Sequence, residues 1–159
     1  MGLLGRYFSE RDLRFVASIN GELMADVIQT EVTVFKVSVN ETNTNVYGES
    51  DQTSGGITYF PGIEITALIQ RDDLNTEYDN FGPDRSQNVI FKFREKMLKL
   101  INLYPELDDL IYFNERYYKI DNVVNDEQLI GGQPEKSHSI ICHSHYTKLS
   151  AMNLSIRNF

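Results

Sequence analysis

From Ser9 onward, apolar side chains recur every three or four residues: Leu13, Val16, Ala17, Leu23, Met24, Val27 and Ile28. Ser9-Glu10-Arg11-Asp12 has the form of a capping box, so the spacing predicts a helix over residues 10–29. Gly21 weakens that helix by about 1 kcal/mol relative to alanine and is read as a tolerated residue. Residues 30–39 turn β-branched, with Val32, Val34, Phe35, Val37 and Val39, and their periodicity fits a strand or a continued helix. Residues 57–70 alternate beyond Pro61-Gly62: Ile63, Ile65, Ala67 and Ile69 point one way, Glu64, Thr66 and Gln70 the other. A second strand is predicted over 88–94, with Val89, Phe91 and Phe93 opposite Lys92 and Arg94. Residues 95–103 have helical composition up to Pro105, and residues 137–149 form a last strand, with Ile140, Cys142 and Tyr146 opposite Ile141, His143 and His145.

Between these elements, Tyr104 to Val124 reads as a β-hairpin. Pro105 biases Tyr104 toward an extended backbone, Leu107-Asp108-Asp109 is an acidic turn, and Leu110 to Phe113 form a short apolar strand. Asn114, Glu115 and Arg116 reverse the chain. Tyr117 to Val124 return with Tyr118, Ile120 and Val124 on one face and Tyr117, Lys119, Asp121 and Val123 on the other. Two strands alone are marginal in water, so the hairpin needs partners on its apolar face.

Two polar stretches, 40–56 and 71–87, contain few apolar residues and are predicted to be extended loops; 125–136, with Gly131-Gly132 and Pro134, is a third loop. Residues 150–159 form a tail with weak signals. The sum is an α+β chain, a single domain of 159 residues: an N-terminal helix and a β-rich body over 57–149, folded as an antiparallel sandwich or small barrel with long polar loops.

Charge removes one class of function. With 23 acidic and 15 basic residues the net charge is -8, which disfavours grasping a phosphate backbone. The single cysteine, Cys142, allows no intrachain disulfide and fits a reducing cytoplasm. No apolar run approaches the ~20 residues of a membrane span, and the first residues lack the pattern of a signal peptide, so a soluble protein without membrane contact is expected.

Candidate chemistry is sparse. Asp73, Asn75, Glu77, Asp79 and Asp84 occupy calcium-loop positions one, three, five, seven and twelve, but position six is Tyr78 where the sharp turn needs glycine, so no calcium site is assigned. On a strand, His143 and His145 face away from His138 and Cys142, so no three converge on a transition metal. Adjacent Cys142 and His143 point apart and cannot act as nucleophile and base. No phosphate-binding loop or dinucleotide fingerprint is present. Neither a catalytic residue nor a cofactor is assigned. Tyr112, Phe113, Tyr117 and Tyr118 could stack bases as an oligonucleotide-binding barrel does, but their neighbours Asp108, Asp109, Glu115 and Asp121 outnumber Arg116 and Lys119. Tyrosines at a protein contact are the better account.

One resemblance gathers these segments. Val46-Tyr47-Gly48-Glu49, Leu68-Ile69-Gln70-Arg71-Asp72-Asp73, Phe81-Gly82-Pro83-Asp84, Val89-Ile90-Phe91-Lys92-Phe93-Arg94 and Tyr104-Pro105-Glu106 come first. Then follow Asp109-Leu110-Ile111-Tyr112-Phe113, Tyr117-Tyr118-Lys119-Ile120-Asp121-Asn122-Val123, Gly131-Gly132-Gln133-Pro134 and His138-Ser139-Ile140-Ile141-Cys142. Over residues 40–150 the chain resembles a structural neck protein of contractile-tailed bacteriophages. Similar hairpins occur in several head-tail connector families, where Gly-Asp usually stands in place of Asp108-Asp109.

The resemblance implies a non-enzymatic subunit of a hexameric or dodecameric ring between portal and tail, which helps close the DNA-filled head and offers the tail its attachment site. Its expected partners are copies of itself, portal-proximal adaptor or neck proteins, and the tail terminator or proximal tail protein. Genomic DNA would pass through the channel without specific binding. A head-tail adaptor or tail-completion ring is the near alternative, and a single-stranded nucleic-acid-binding barrel the distant one. Interface candidates are Tyr47, Glu49, Arg71, Asp72, Asp73, Tyr78, Phe81, Asp84, Tyr112, Tyr117, His143 and His145.

Overall fold

In a computed structural model, residues 10–28, 30–38, 57–73, 75–79, 82–126, 138–148 and 152–153 are described. The predicted helix begins as α1 (Glu10–Glu22) and continues as a π-helical segment over Leu23–Ile28. Gly21 is more than tolerated: the Arg94 side chain lies over it to donate to the Ala17 carbonyl at 3.1 Å, and a Cβ there would come within 2.9 Å of the guanidinium. Asn20 adds a 2.8 Å bond to His138 Nε2. Together these contacts moor α1 to the body.

The ambiguous stretch after the helix is a strand, β1 (Glu31–Phe35). It is followed by β2 (Ile57–Thr58), β3 (Ile63–Thr66), β4 (Leu68–Arg71), β5 (Asn75–Asp79), β6 (Gly82–Ser86) and β7 (Asn88–Arg94). Helix α2 (Glu95–Ile101), β8 (Leu110–Phe113), β9 (Arg116–Asp126), β10 (Ser139–Thr147) and β11 (Met152–Asn153) complete the order. The α+β class predicted from the sequence holds. Seven strands form one antiparallel sheet in the order β3-β1-β8-β9-β10-β7-β4, β2 and β11 pair in parallel, and β5 pairs with β6.

No ladder joins the edge strands β3 and β4, so the sheet is not closed into a barrel. It is nonetheless strongly curled, because β3 and β4 are one run of chain interrupted only by buried Ala67, whose N–H bonds the Thr30 carbonyl at 2.9 Å. Phe91 on β7 and Phe113 on β8 stand three strands apart, about 14 Å on a flat sheet. Their ring centroids are 6.3 Å apart. The Arg71 guanidinium on β4 likewise sits 5.5 Å from the Phe113 ring centroid, across four strand spacings. Inside the curl lie Val32, Val34, Ile65, Ala67, Val89, Phe91, Phe93, Ile111, Tyr118, Ile120, Ile140 and Cys142, inward positions of six strands and the Ala67 link, with Ile69 of β4 packed against them. Leu98 of α2 and Leu103 extend this cluster.

Other expectations change as well, beginning with the single strand over 57–70, which is divided into β2, β3 and β4. Segment 71–87 is not an extended loop throughout: β5 and β6 make a two-stranded ribbon in register from Asn75↔Ser86 to Asp79↔Gly82. Its strands pair with each other and not with the main sheet. A further change lies in β9. Ser144 faces Ile120 while His143 faces Asn122, so a bulge at Asp121 shifts the alternation by one residue. Val123 therefore packs against the core and Val124 is exposed, the reverse of the simple pattern. The strand also runs on to Asp126, past the predicted start of the 125–136 loop; the rest of that loop, and segment 40–56, lie outside the described residues.

The β8–β9 hairpin turns on two residues, Asn114 and Glu115, both left-handed at φ 49° and 61°, with Arg116 already paired to Phe113. This is the turn that matches the twist of a hairpin, and glycine suits its second position best. Glu115→Gly should relieve backbone strain and raise stability by up to about 1 kcal/mol; a denaturant midpoint that falls instead contradicts this.

The turn before β8 is built around Asp109, 1 % exposed. Its carboxylate accepts from the Val37 N–H at 3.0 Å and the Glu106 N–H at 2.8 Å, and lies 3.3 Å from Lys36 Nζ. Lys36 also donates to the Tyr104 carbonyl at 2.6 Å and to Glu106 at 2.8 Å. Burial pushes the Asp109 carboxyl above its usual value, and the two amides and Lys36 oppose that push. The neighbouring Tyr59 hydroxyl is driven up to about 12 by burial and by Asp108 and Asp109. Asp108 itself is left-handed, φ 69°, and pairs with Lys119 at 2.8 Å. A glycine in place of Asp108 would adopt that angle freely, which gives the Gly-Asp form of such hairpins its physical sense.

Candidate functional site

The interface candidates fall into separate places. Tyr47, Glu49 and Phe81 lie outside the described residues. Tyr78 and Asp84 sit on the ribbon, in pairs Tyr78↔Pro83 and Glu77↔Asp84. Arg71, Asp72 and Asp73 stand where the ribbon leaves the body, all exposed, with Arg71 held over Phe113.

The ribbon's base is clasped by Gln87, which is buried. Its amide nitrogen donates to the Asp72 carbonyl at 3.0 Å, closing the two ends of the ribbon on each other. Its side-chain oxygen accepts from Arg116 at 3.2 Å and from the Tyr118 hydroxyl at 3.3 Å, and its backbone carbonyl accepts from the Tyr146 N–H at 2.9 Å. A further bond joins the Asp72 N–H to the Asn88 carbonyl at 3.1 Å. The ribbon therefore springs from a fixed platform at the Asn114-Glu115 end of the main hairpin. The sequence reading missed Gln87, since a lone glutamine among polar residues carries no pattern.

Tyr112 and Tyr117 pair on the outer face of β8 and β9 with ring centroids 4.9 Å apart, and Phe35 adds a third ring 6.2 Å from Tyr117. Their faces are half-buried against one another. Burial and the neighbouring Tyr112 raise the Tyr117 hydroxyl above its usual value. Gly62 makes this layer possible, because a Cβ there would meet Thr33 at 2.4 Å and Phe35 at 2.7 Å. His143 is exposed on β10, and His145 Nδ1 contacts both Asp121 oxygens at 2.7–2.8 Å. His138 is tied up with Asn20 on another element.

Among the described residues, no three His, Cys, Asp or Glu side chains converge as metal ligands. The Cys142 thiol is buried and pushed up to about 12, so it stays protonated near neutral pH. Among the described residues no helix is long and apolar enough to cross a membrane.

The surface that sequence reasoning misplaced is on α1. Leu23 and Val27, part of the apolar recurrence that predicts the helix, are both exposed, together with Phe15 and Ile19. Val16, Ala17, Asn20, Gly21, Met24 and Ile28 are the partly covered face instead. Phe15, Ile19, Leu23 and Val27 form one i±4 ridge along the outside of the helix. A second apolar group, Leu100, Ile101, Tyr104 and Leu107, is exposed at the end of α2 and in the turn after it. Excess apolar positions were the available signal: the helix has two apolar ridges, and a moored helix needs one.

No protein-family profile matches the chain, and no curated protein matches it. Among solved structures, one similar chain belongs to the virion of a native gene transfer agent particle, with a TM-score of 0.51 and 10 % sequence identity. The match covers 74 % of this chain and 93 % of that one, so the two share a fold across almost the whole of the virion chain.

Proposed function

We propose that this chain is a structural subunit of a tailed, phage-like particle, and specifically a neck subunit that joins copies of itself into a ring between head and tail. The observation that carries this reading is the shared fold with a chain built into a gene transfer agent virion. The hairpin from Tyr104 to Val124 supports the finer placement through its resemblance to neck and connector proteins. The polar ribbon, closed at its base by Gln87, is suited to meeting a neighbour, and the apolar ridge on α1 is a surface suited to being covered.

In this role the chain makes and breaks no covalent bond. It works by closing heterologous contacts into a ring, and its net charge of -8 keeps passing DNA from sticking. Portal-proximal neck or adaptor proteins on one side and the tail terminator or proximal tail protein on the other are its partners. The paired Tyr112 and Tyr117 rings are half-covered by each other, which disfavours base stacking. Native mass measurement of the chain, alone and mixed with portal or tail-end components, should find a ring-sized species, and an oligonucleotide titration should find no salt-dependent binding. A chain that remains monomeric in every mixture refutes the proposal.

A further inference from the structure

We infer that the ridge on α1 of one copy seats on the apolar group at the end of α2 of a neighbouring copy, and that this repeated contact closes the ring. The inference rests on the neck reading and names the surface that reading requires. Phe15, Ile19, Leu23 and Val27 are 45–71 % exposed. They make a strip of roughly 400 Å², the size at which an apolar patch on a monomer is commonly a contact site. Leu100, Ile101, Tyr104 and Leu107, 37–72 % exposed, offer on the order of 400 Å² as well.

The occupant of each surface is argued from the presence of the other on the same chain. If α1 ridges paired with each other across a two-fold axis, the α2 group would need a second, different contact to be covered. Ridge against α2 group covers both at once, and such a head-to-tail contact propagates from copy to copy until it closes. The two surfaces together bury about 800 Å² of apolar area, which is what an interface of about 1,400 Å² holds at an ordinary apolar fraction. Geometry favours the ridge as an inserting element: it faces away from the body, on a helix moored through Arg94 and Asn20 on its other side.

The test uses the full chain at about 0.2 mM with two variants, Ile19→Glu on the ridge and Leu100→Glu on α2. Both positions are exposed helical sites where glutamate is well tolerated, and far-UV circular dichroism with a thermal melt checks the fold. Wild type should form species larger than a dimer, and each variant alone should be monomeric, with self-association weakened about a hundredfold or more. Mixed in equal amounts, the variants should form a 1:1 dimer and nothing larger, because each retains the one surface the other lacks. A monomeric wild type, a variant that assembles like wild type, or a mixture that stays monomeric overturns the inference. The neck reading fails separately, by absence of the chain from particles, so a wrong surface and a wrong function are told apart.

Discussion

Asp109→Ala lowers the free energy of unfolding by about 3 kcal/mol, a large part of the 5–15 kcal/mol that holds a typical domain together. The substitution leaves the Val37 and Glu106 amides without their acceptor and takes from Lys36 one of its two carboxylates. Asp109→Asn should cost roughly half as much: its oxygen still serves Val37, while its NH₂ group confronts the Glu106 N–H and Lys36. Urea denaturation of the three proteins measures the order, and an Ala variant as stable as wild type excludes the turn as a keystone. The pH dependence has a definite sign. Because the folded state holds the Asp109 proton more tightly than the unfolded chain, the proton-linked part of its contribution is complete below the usual value of 3.8 and is lost as pH rises through the higher folded value, while the bonds from Val37, Glu106 and Lys36 persist with the carboxylate ionised. Carboxyl ¹³C titration should place Asp109 above that usual value.

Phe91→Ala costs about 3–5 kcal/mol by a different route. Phe91 is fully buried on β7, between Ile69 on β4 and Cys142 on β10. Its ring meets Tyr118 at 5.6 Å and Phe113 at 6.3 Å, both edge-on. Those contacts cross the interior of the curl, so the cavity opens where the two flanks of the sheet meet. A midpoint of thermal unfolding lower by about 10 °C is expected for a chain of this size, with Phe91→Leu losing less than half as much. A loss below 1 kcal/mol would mean that the curl is held elsewhere.

Local patterning made the main hairpin and β7 legible. Alternation is imprinted wherever one face is buried, so Asn88 to Arg94 reads as a strand from Val89, Phe91 and Phe93 alone. Alternation over 57–70 reads as one long strand where the structure has three, β2, β3 and β4; it marks Ile65, Ala67 and Ile69 as inward but could not reveal that the halves on either side of Ala67 pair with opposite edges of the sheet, since alternation records a face and not a neighbour. The ribbon of β5 and β6 was invisible because its stretch, 71–87, is polar and contains few apolar residues. The bulge at Asp121 was invisible because one inserted residue leaves no compositional mark and only reverses Val123 and Val124. On α1, Leu23 and Val27 satisfied the helical period as well as Val16 and Met24 do. Which ridge meets the body was decided by Arg94 lying over Gly21, a contact between distant segments.

Tailed particles purified from cells that express the chain, probed by mass spectrometry and by gold labelling of an epitope on it, measure its place directly. A neck subunit is present in intact particles at a few to a dozen copies, with label at the head-tail junction. Particles that package DNA and carry tails while containing none of the chain would contradict that role.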